Sequence, residues 1–188
     1  MFEVFLFFLD YLEGEIQNIY EKDPSMSNFW DVIFFHPGFH IILFHNTAHF
    51  LWVIGLKFFG KLISNWGRFY TGIEIHPNVK IGNKLCIDHG CGVVIGESTI
   101  IGNNCTLFQG VTLGGKSTKK GTKRHPTLLD NVLIGAGAKI IGPIVIGKNA
   151  KIGCNAVVLH DVKDNDTVVG IPATSVPRKR VDFEILKL

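Results

Sequence analysis

Two hydrophobic periods divide the chain. Up to about residue 70, apolar and aromatic side chains recur at mixed spacings of three and four, the period of a helix. Phe39, Leu43, Ala48, Leu51, Trp52 and Leu56 suit one face of a helix entered after His36-Pro37-Gly38. After residue 72, where most of the 21 glycines lie, the period becomes six. Ile75, Ile81, Ile87, Val93, Thr99, Cys105 and Val111 are each six apart, with a parallel track at Ile95, Ile101, Leu107 and Leu113. A second register runs through Ile134, Ile140, Ile146, Ile152 and Val158, accompanied by Val132, Ala138, Ile144, Ala150 and Ala156. The 23 residues from Val111 to Ile134, one short of a multiple of six, mark an inserted loop over 114–128.

A period of six is neither that of a strand nor that of a helix, but it results when three short strands make one coil of a solenoid. Glycine after the aliphatic residue (Gly82, Gly96, Gly102, Gly135, Gly147, Gly153) is expected to supply the backbone freedom of tight corners. Small residues such as Ala136, Ala138 and Ala150 let coils stack at strand spacing, ~4.8 Å. The alternative, a β-sandwich with glycine turns, calls for alternating strands that rarely hold a fixed aliphatic step through seven repeats. The expected class is therefore α+β: a helical N-terminal segment over 1–70, a parallel β-helix over 71–176 with its extended loop, and a tail over 177–188.

Composition narrows the function classes. The 188 residues bound one domain with a small satellite, and 46% hydrophobic against 19% charged residues excludes disorder. The net charge of +3 is concentrated: residues 116–124 (KSTKKGTKR) hold five cations, leaving 14 cationic against 16 acidic residues elsewhere. That is a local basic loop and not a nucleic-acid-binding protein. Cys86, Cys91, Cys105 and Cys154 form no C-x-x-C pair and lie in aliphatic runs, so neither a metal nor a disulfide framework is expected. The apolar start MFEVFLFFLD opens with an acid and lacks a basic region and a cleavage site, which argues against a signal peptide. Residues 41–59 are long enough to cross a membrane but carry His45, Asn46, His49 and Lys57; a buried helix is the preferred reading, a membrane span the alternative. A cytoplasmic enzyme or binding protein, with no membrane partner, is expected.

Several segments carry a more specific likeness: Asp23-Pro24, HPGFH at 36–40, IEIHP at 73–77, IDHGCGVVIGE at 87–97, QGVTLGG at 109–115, KRHP at 123–126, IGAGAKIIG at 134–142 and VVGIPA at 168–173. Over residues 23–176 the chain resembles the serine O-acetyltransferases, within the left-handed parallel β-helix acyltransferases. The repeat alone is shared with sugar, antibiotic and nucleotide-sugar acyltransferases; the combination of HPGFH, IDHG and KRHP is what singles out the family. The resemblance implies a helical part preceding a left-handed β-helix, a homotrimer, and acetyl-CoA lying between adjacent β-helices. It implies transfer of acetyl to the L-serine hydroxyl, giving O-acetyl-L-serine for cysteine biosynthesis, by direct attack and without a metal. There are departures. Glu74 stands where the family often has Asp. The helical region is short, leaving trimer or dimer of trimers open. The chain ends in Leu188 where long members carry an Ile-terminated tail that docks into O-acetylserine sulfhydrylase, so that partnership is open as well.

Acetyl transfer to an alcohol needs a base, a group that orients it, and donors for the developing oxyanion. The family motif matches His89, in Asp88-His89-Gly90, as the base; an isolated histidine there would be read as a surface corner. Glu74, 15 residues earlier, is about one coil away and is expected to reach the imidazole. Arg124 suits bidentate recognition of the serine carboxylate, with His125 beside it; the resemblance implies that this loop reaches a neighbouring chain's His89, whereas the residues alone equally suit a re-entry into the repeat. Lys116, Lys119, Lys120 and Lys123 are either phosphate contacts or a solvated loop. By the same resemblance Gly114, Gly115, Ala136, Gly137 and Ala138 line the acetyl-CoA groove. Asp23 and Asp88 match the positions that would hold the serine ammonium, against bland readings as a cap and a corner. His36, His40, His45 and His49 are more consistent with packing than with a metal, although His45 and His49 share a helix face. The rivals are a hexapeptide acetyltransferase acting on a sugar or antibiotic hydroxyl, and a catalytically silent trimeric scaffold.

Overall fold

The computed structural model describes the backbone of residues 2–119 and 121–176, with side chains from residue 10 onward. Lys120 and the tail at 177–188, with its terminal Leu188, lie outside the described residues. Four helices come first: α1 (Phe2–Lys22), α2 (Phe29–Phe35), α3 (Pro37–Val53) and α4 (Lys57–Thr71). A left-handed parallel β-helix of three faces follows. Face A stacks Glu74–Ile75, Val94–Ile95, Thr112–Gly114, Lys139–Ile141 and Val157–Val158. Face B stacks Lys80–Ile81, Ile100–Ile101, Thr127–Leu128 and Val145–Ile146. Face C stacks Cys86–Ile87, Thr106–Leu107, Leu133–Ile134, Lys151–Ile152 and Thr167–Val169, closed by the antiparallel Thr174–Ser175.

Strands of two or three residues suffice because each corner also hydrogen-bonds to the coil below. Gly110 N–H donates to Cys91 C=O, and Gly137 N–H to Gln109 C=O. The second residue of most strands points inward, and Ile75, Ile95, Ile101, Leu107, Leu113, Leu128, Ile134, Ile140, Ile146 and Ile152 fill a single apolar column. Burying one aliphatic side chain is worth roughly 1.5–3 kcal/mol, so stacking supplies the stability that one coil cannot.

The repeat is less even than the sequence suggests. Glu74 pairs with Val94, making the first coil 20 residues long, while Val94 pairs with Thr112 after the ordinary 18. The two extra residues lie between Ile87 and Val94, in the corner that carries His89. The six-residue ladder from Ile87 to Val93 therefore jumps from the strand column to the corner column. Both columns are aliphatic, which is why the slip is silent in the sequence. The same crossing hides the size of the second insertion: Leu113 and Leu128 occupy successive strands 15 residues apart, nine more than the repeat.

The corner glycines also need a different account. None of Gly82, Gly96, Gly102, Gly135, Gly147 and Gly153 adopts a positive φ. What they provide is closeness: a Cβ at Gly102 would lie 2.8 Å from the Leu129 carbonyl carbon, and one at Gly135 2.7 Å from the Cys154 amide nitrogen. The left-handed corner positions are shared between other glycines, such as Gly92, Gly110 and Gly137, and asparagines (Asn104, Asn131, Asn149, Asn165) whose side chains hydrogen-bond in pairs across coils.

In the helical part, α3 buries Gly38, Phe39, Ile41, Ile42, His45 and Ala48. The expected face through Leu51, Trp52 and Leu56 is displaced, because α3 ends at Val53 and Leu56 is half exposed before α4. Among the described residues no helix is long and apolar enough to cross a membrane.

Candidate active site

The corner between faces C and A is built to expose an imidazole. Asp88 continues the strand, its N–H donating to Leu107 C=O, and the backbone then turns left-handed at His89 (φ 59°) and Gly90 (φ 69°). A β-carbon at Gly90 would meet the Ile73 side chain at 2.4 Å, so the turn closes only over glycine. A histidine in this backbone region is uncommon and marks a position held by its surroundings. The His89 side chain is 74% exposed, with Nε2 3.8 Å from Asp88 Oδ1.

The helices bring two more groups to this corner. Gly38 lets the start of α3 lie against the strand before Asp88, since a β-carbon there would be 2.3 Å from Ile87 C=O. His36, the N-cap of α3, is thereby placed beside Asp88 and Asp23, the ligating atoms of the three lying within 4.8 Å of one another. Asp23 follows α1 and does not begin a helix: its Oδ1 accepts from Ser25 N–H (2.9 Å) and Ser25 Oγ (2.7 Å), a turn in which Oδ2 stays free, 3.9 Å from His36 Nε2. His36 is 2% exposed, and burial pushes its imidazole down from the ordinary value against the pull of Asp23 and Asp88. Nδ1 accepts from Phe39 N–H at 3.1 Å, so the neutral ring carries its proton on Nε2. The cluster therefore presents two carboxylates and an N–H. A metal would need the Nε2 lone pair and an Nδ1 proton facing the Phe39 amide, which the capping bond opposes; an ammonium needs only the carboxylates.

The corner between faces A and B carries the basic loop. Arg124 Nη2 meets Glu97 Oε2 at 3.1 Å, and Lys123 donates to the carbonyls of Ser98 and Pro126. His125, 7% exposed, is tied to Ser98 through Nδ1. Gly96 and Gly115 leave room for its ring: β-carbons there would lie 2.1 and 3.1 Å from Nε2. Burial, and next the Arg124 charge, hold the His125 imidazole below its ordinary value.

The predicted residues thus fall into two groups on different edges. Asp23, Asp88 and His89 come together on the C–A edge; Gly114, Gly115, Arg124 and His125 lie on the A–B edge. Ala136, Gly137 and Ala138 sit on the C–A edge two coils beyond His89, where Gly137 packs against Gly110. The expected Glu74–His89 contact is not made within the chain. Glu74 points outward from the first strand of face A, its carboxylate held by Arg68 at 3.0 Å, and the acid beside His89 is Asp88. The 20-residue first coil is the cause, because it extends the corner beyond the register that an 18-residue coil implies. Glu97, Ser98 and Arg68 are not among the residues that the sequence picks out, and His36, read there as packing, stands instead beside the two carboxylates. Ser98 was findable: once the nine-residue insertion is placed, Ile100 pairs with Thr127 and Ser98 stacks under His125.

Residues 125–160 match the bacterial transferase hexapeptide family (six repeats), and residues 92–118 match the hexapeptide repeat of succinyl-transferase. The chain is 50% identical over 169 residues to the serine acetyltransferase of Bacillus subtilis, covering 90% of this chain and 77% of that protein. The fold superposes on the Neisseria gonorrhoeae serine acetyltransferase with a TM-score of 0.86 at 42% identity, covering 90% of this chain and 64% of that one. The same enzyme in complex with serine gives 0.85 at 40%, with coverage of 89% and 68%. A serine acetyltransferase in complex with CoA gives 0.83 at 39%, again with 89% and 68%. Identity at this level across almost the whole chain, together with the repeat and the two histidine corners, means that the chain belongs to the serine acetyltransferase family.

Proposed function

We propose that the protein transfers the acetyl group of acetyl-CoA to the hydroxyl of L-serine, with His89 as general base. The observation that carries this reading is the exposed His89 imidazole beside Asp88, whose carboxylate is clustered with that of Asp23 around His36. An amino-acid acceptor brings an ammonium group that such a pair would hold, whereas a sugar hydroxyl brings none. Asp23 and Asp88 bind the ammonium, Arg124 binds the carboxylate, and His89 takes the hydroxyl proton as the oxygen attacks the thioester carbonyl. Collapse of the tetrahedral intermediate expels the CoA thiolate, which recovers the proton from the imidazolium.

Arg124 and His125 stand on a different edge from His89, so the reading places the site between chains: the C–A edge of one faces the A–B edge of the next in a homotrimer. Acetyl-CoA would lie along Gly114-Gly115 of one chain and Ala136-Gly137-Ala138 of the other. An apolar helical surface supports assembly: Phe58, Trp66, Phe69 and Tyr70 of α4 are each more than half exposed, Phe69 by 88%. The four cysteines are free, in keeping with a cytoplasmic setting.

Thiol release from acetyl-CoA, measured with and without L-serine and with sugar acceptors, is the test. Serine-dependent release is expected; release with a sugar alone would assign the protein to the sugar-acceptor enzymes, and none with any acceptor to a silent scaffold.

A further inference from the structure

The His125 ring is held by one neighbour on one side. Ser98 N–H donates to Nδ1 at 3.2 Å, and Ser98 Oγ lies 2.9 Å from the same nitrogen. That hydroxyl oxygen already accepts two backbone N–H groups, from Arg124 at 3.0 Å and from His125 itself at 3.2 Å. Both of its lone pairs are therefore occupied, and the one thing it has left to offer Nδ1 is its proton. Two donors converge on Nδ1, so Nδ1 carries a lone pair and the proton of the neutral ring resides on Nε2. Among the described residues nothing in the chain accepts from Nε2–H, which looks out between Gly96 and Gly115.

We propose that Ser98 fixes His125 as a hydrogen-bond donor, which stabilises the oxyanion formed on the acetyl carbonyl and takes no part in proton abstraction. The proposal rests on the acetyl-transfer reading and divides the labour of the two histidines. His89, exposed and beside the Asp88 carboxylate, accepts the serine proton. His125, buried, beside Arg124 and kept neutral by both, cannot gain a proton on Nδ1 without breaking the Ser98 contacts, and has no lone pair on Nε2 to act as a base. Its fixed N–H meets the requirement for an oxyanion donor, a dipole aimed in advance at the place where charge develops. Ser98 is a positioning residue: it touches no reacting atom and acts through the tautomer of His125.

The test has a kinetic and a spectroscopic arm. His125→Ala is expected to lower kcat by ~10², the usual loss for one oxyanion donor. His125→Gln, which keeps an N–H close to the Nε2 position but cannot act as a base, is expected to recover about tenfold of that loss. Ser98→Ala is expected to lower kcat by roughly tenfold with the KM for acetyl-CoA within about twofold, and Ser98→Thr, which keeps the hydroxyl, to restore it. In the holoenzyme labelled with 15N-histidine, the two ring nitrogens of His125 should report a proton on Nε2, and Ser98→Ala should shift them toward a mixture of tautomers. The proposal is overturned if His125 carries its proton on Nδ1, or if His125→Gln is as slow as His125→Ala. Absence of serine-dependent thiol release in the unaltered protein would overturn the acetyl-transfer reading and the oxyanion role with it. The nitrogen spectrum needs no turnover and would still decide what Ser98 does to the ring.

Discussion

The two edges that flank face A each carry one of the two histidines of the proposed site, and these two solve opposite problems. On the C–A edge His89 stands out into solvent on a left-handed turn beside Asp88, whose carboxylate is clustered with that of Asp23. On the A–B edge His125 is folded back against two glycines and pinned by Ser98, with Lys123 and the Arg124–Glu97 ion pair beside it. Both edges depart from the six-residue repeat, the first by two residues and the second by nine. A solenoid tolerates such insertions because each coil contacts only its neighbours. The regular coils fill the core with aliphatic side chains and offer no chemistry; the chemistry enters where the repeat is broken. The opposite signs of charge at the two breaks also match a zwitterion held between them.

The largest expected effect comes from removing the exposed histidine. His89→Ala should fold and assemble as before but lose ~10²–10⁴ in kcat, the usual contribution of a general base. Near-normal turnover at neutral pH would abolish the contrast between the edges. Mixing impaired His89→Ala chains with impaired His125→Ala chains sharpens it: mixed trimers should regain activity above either variant alone if each site takes one histidine from each chain, and no recovery would put both in the same chain.

A substitution of one methyl group should come next. At Gly96 φ is ordinary, so alanine strains no backbone, but its β-carbon would lie 2.1 Å from both Cδ2 and Nε2 of His125. The ring must move by about 1 Å, a misplacement that costs roughly 10² in rate at a reacting centre. We expect Gly96→Ala to lower kcat by that order while the assembly and the serine KM persist. An unchanged kcat would mean that the orientation of His125 does not matter.

Asp23→Asn probes the negative side with a smaller expected effect. Asn keeps an oxygen to accept from Ser25, so the turn after α1 survives, while the charge facing His36 is lost. The serine KM should rise about tenfold, the order expected for one charge-assisted hydrogen bond, with little change in thermal midpoint or in affinity for acetyl-CoA. A lower midpoint with an unaltered serine KM would reduce Asp23 to a turn former.

The sequence revealed the solenoid because one aliphatic residue per strand is a physical requirement of stacking, visible at Ile134, Ile140, Ile146, Ile152 and Val158 without any structure. It could not reveal the two-residue insertion, because the strand and corner columns are equally aliphatic and Val93 continues the count from Ile87. It brought out His89, Asp88, Arg124 and His125 through local motifs. His36 is read from the sequence as a packing residue, since its relation to Asp88 arises from α3 packing on face C, a contact between segments about 50 residues apart in sequence.

Glu74 is the case where spacing and structure part, and its substitution should have the smallest effect. The residue lies on the His89 side of face A, its N–H donating to Val93 C=O just beyond the His89 corner, but its carboxylate is about half exposed and engaged by Arg68. A charge so placed acts on an imidazolium through water more than through a direct bond, and exposed pairs are worth ~0–1 kcal/mol. Glu74→Gln is therefore expected to slow kcat by no more than about fivefold, with acetyl-CoA affinity unchanged. Raising the ionic strength should erase most of that difference, because screening at high salt weakens exposed charges first. A loss as large as that of His89→Ala, persisting in high salt, would show that Glu74 leaves Arg68 and bonds the His89 ring directly in the assembled site, and Asp88 would then be only the corner that holds it.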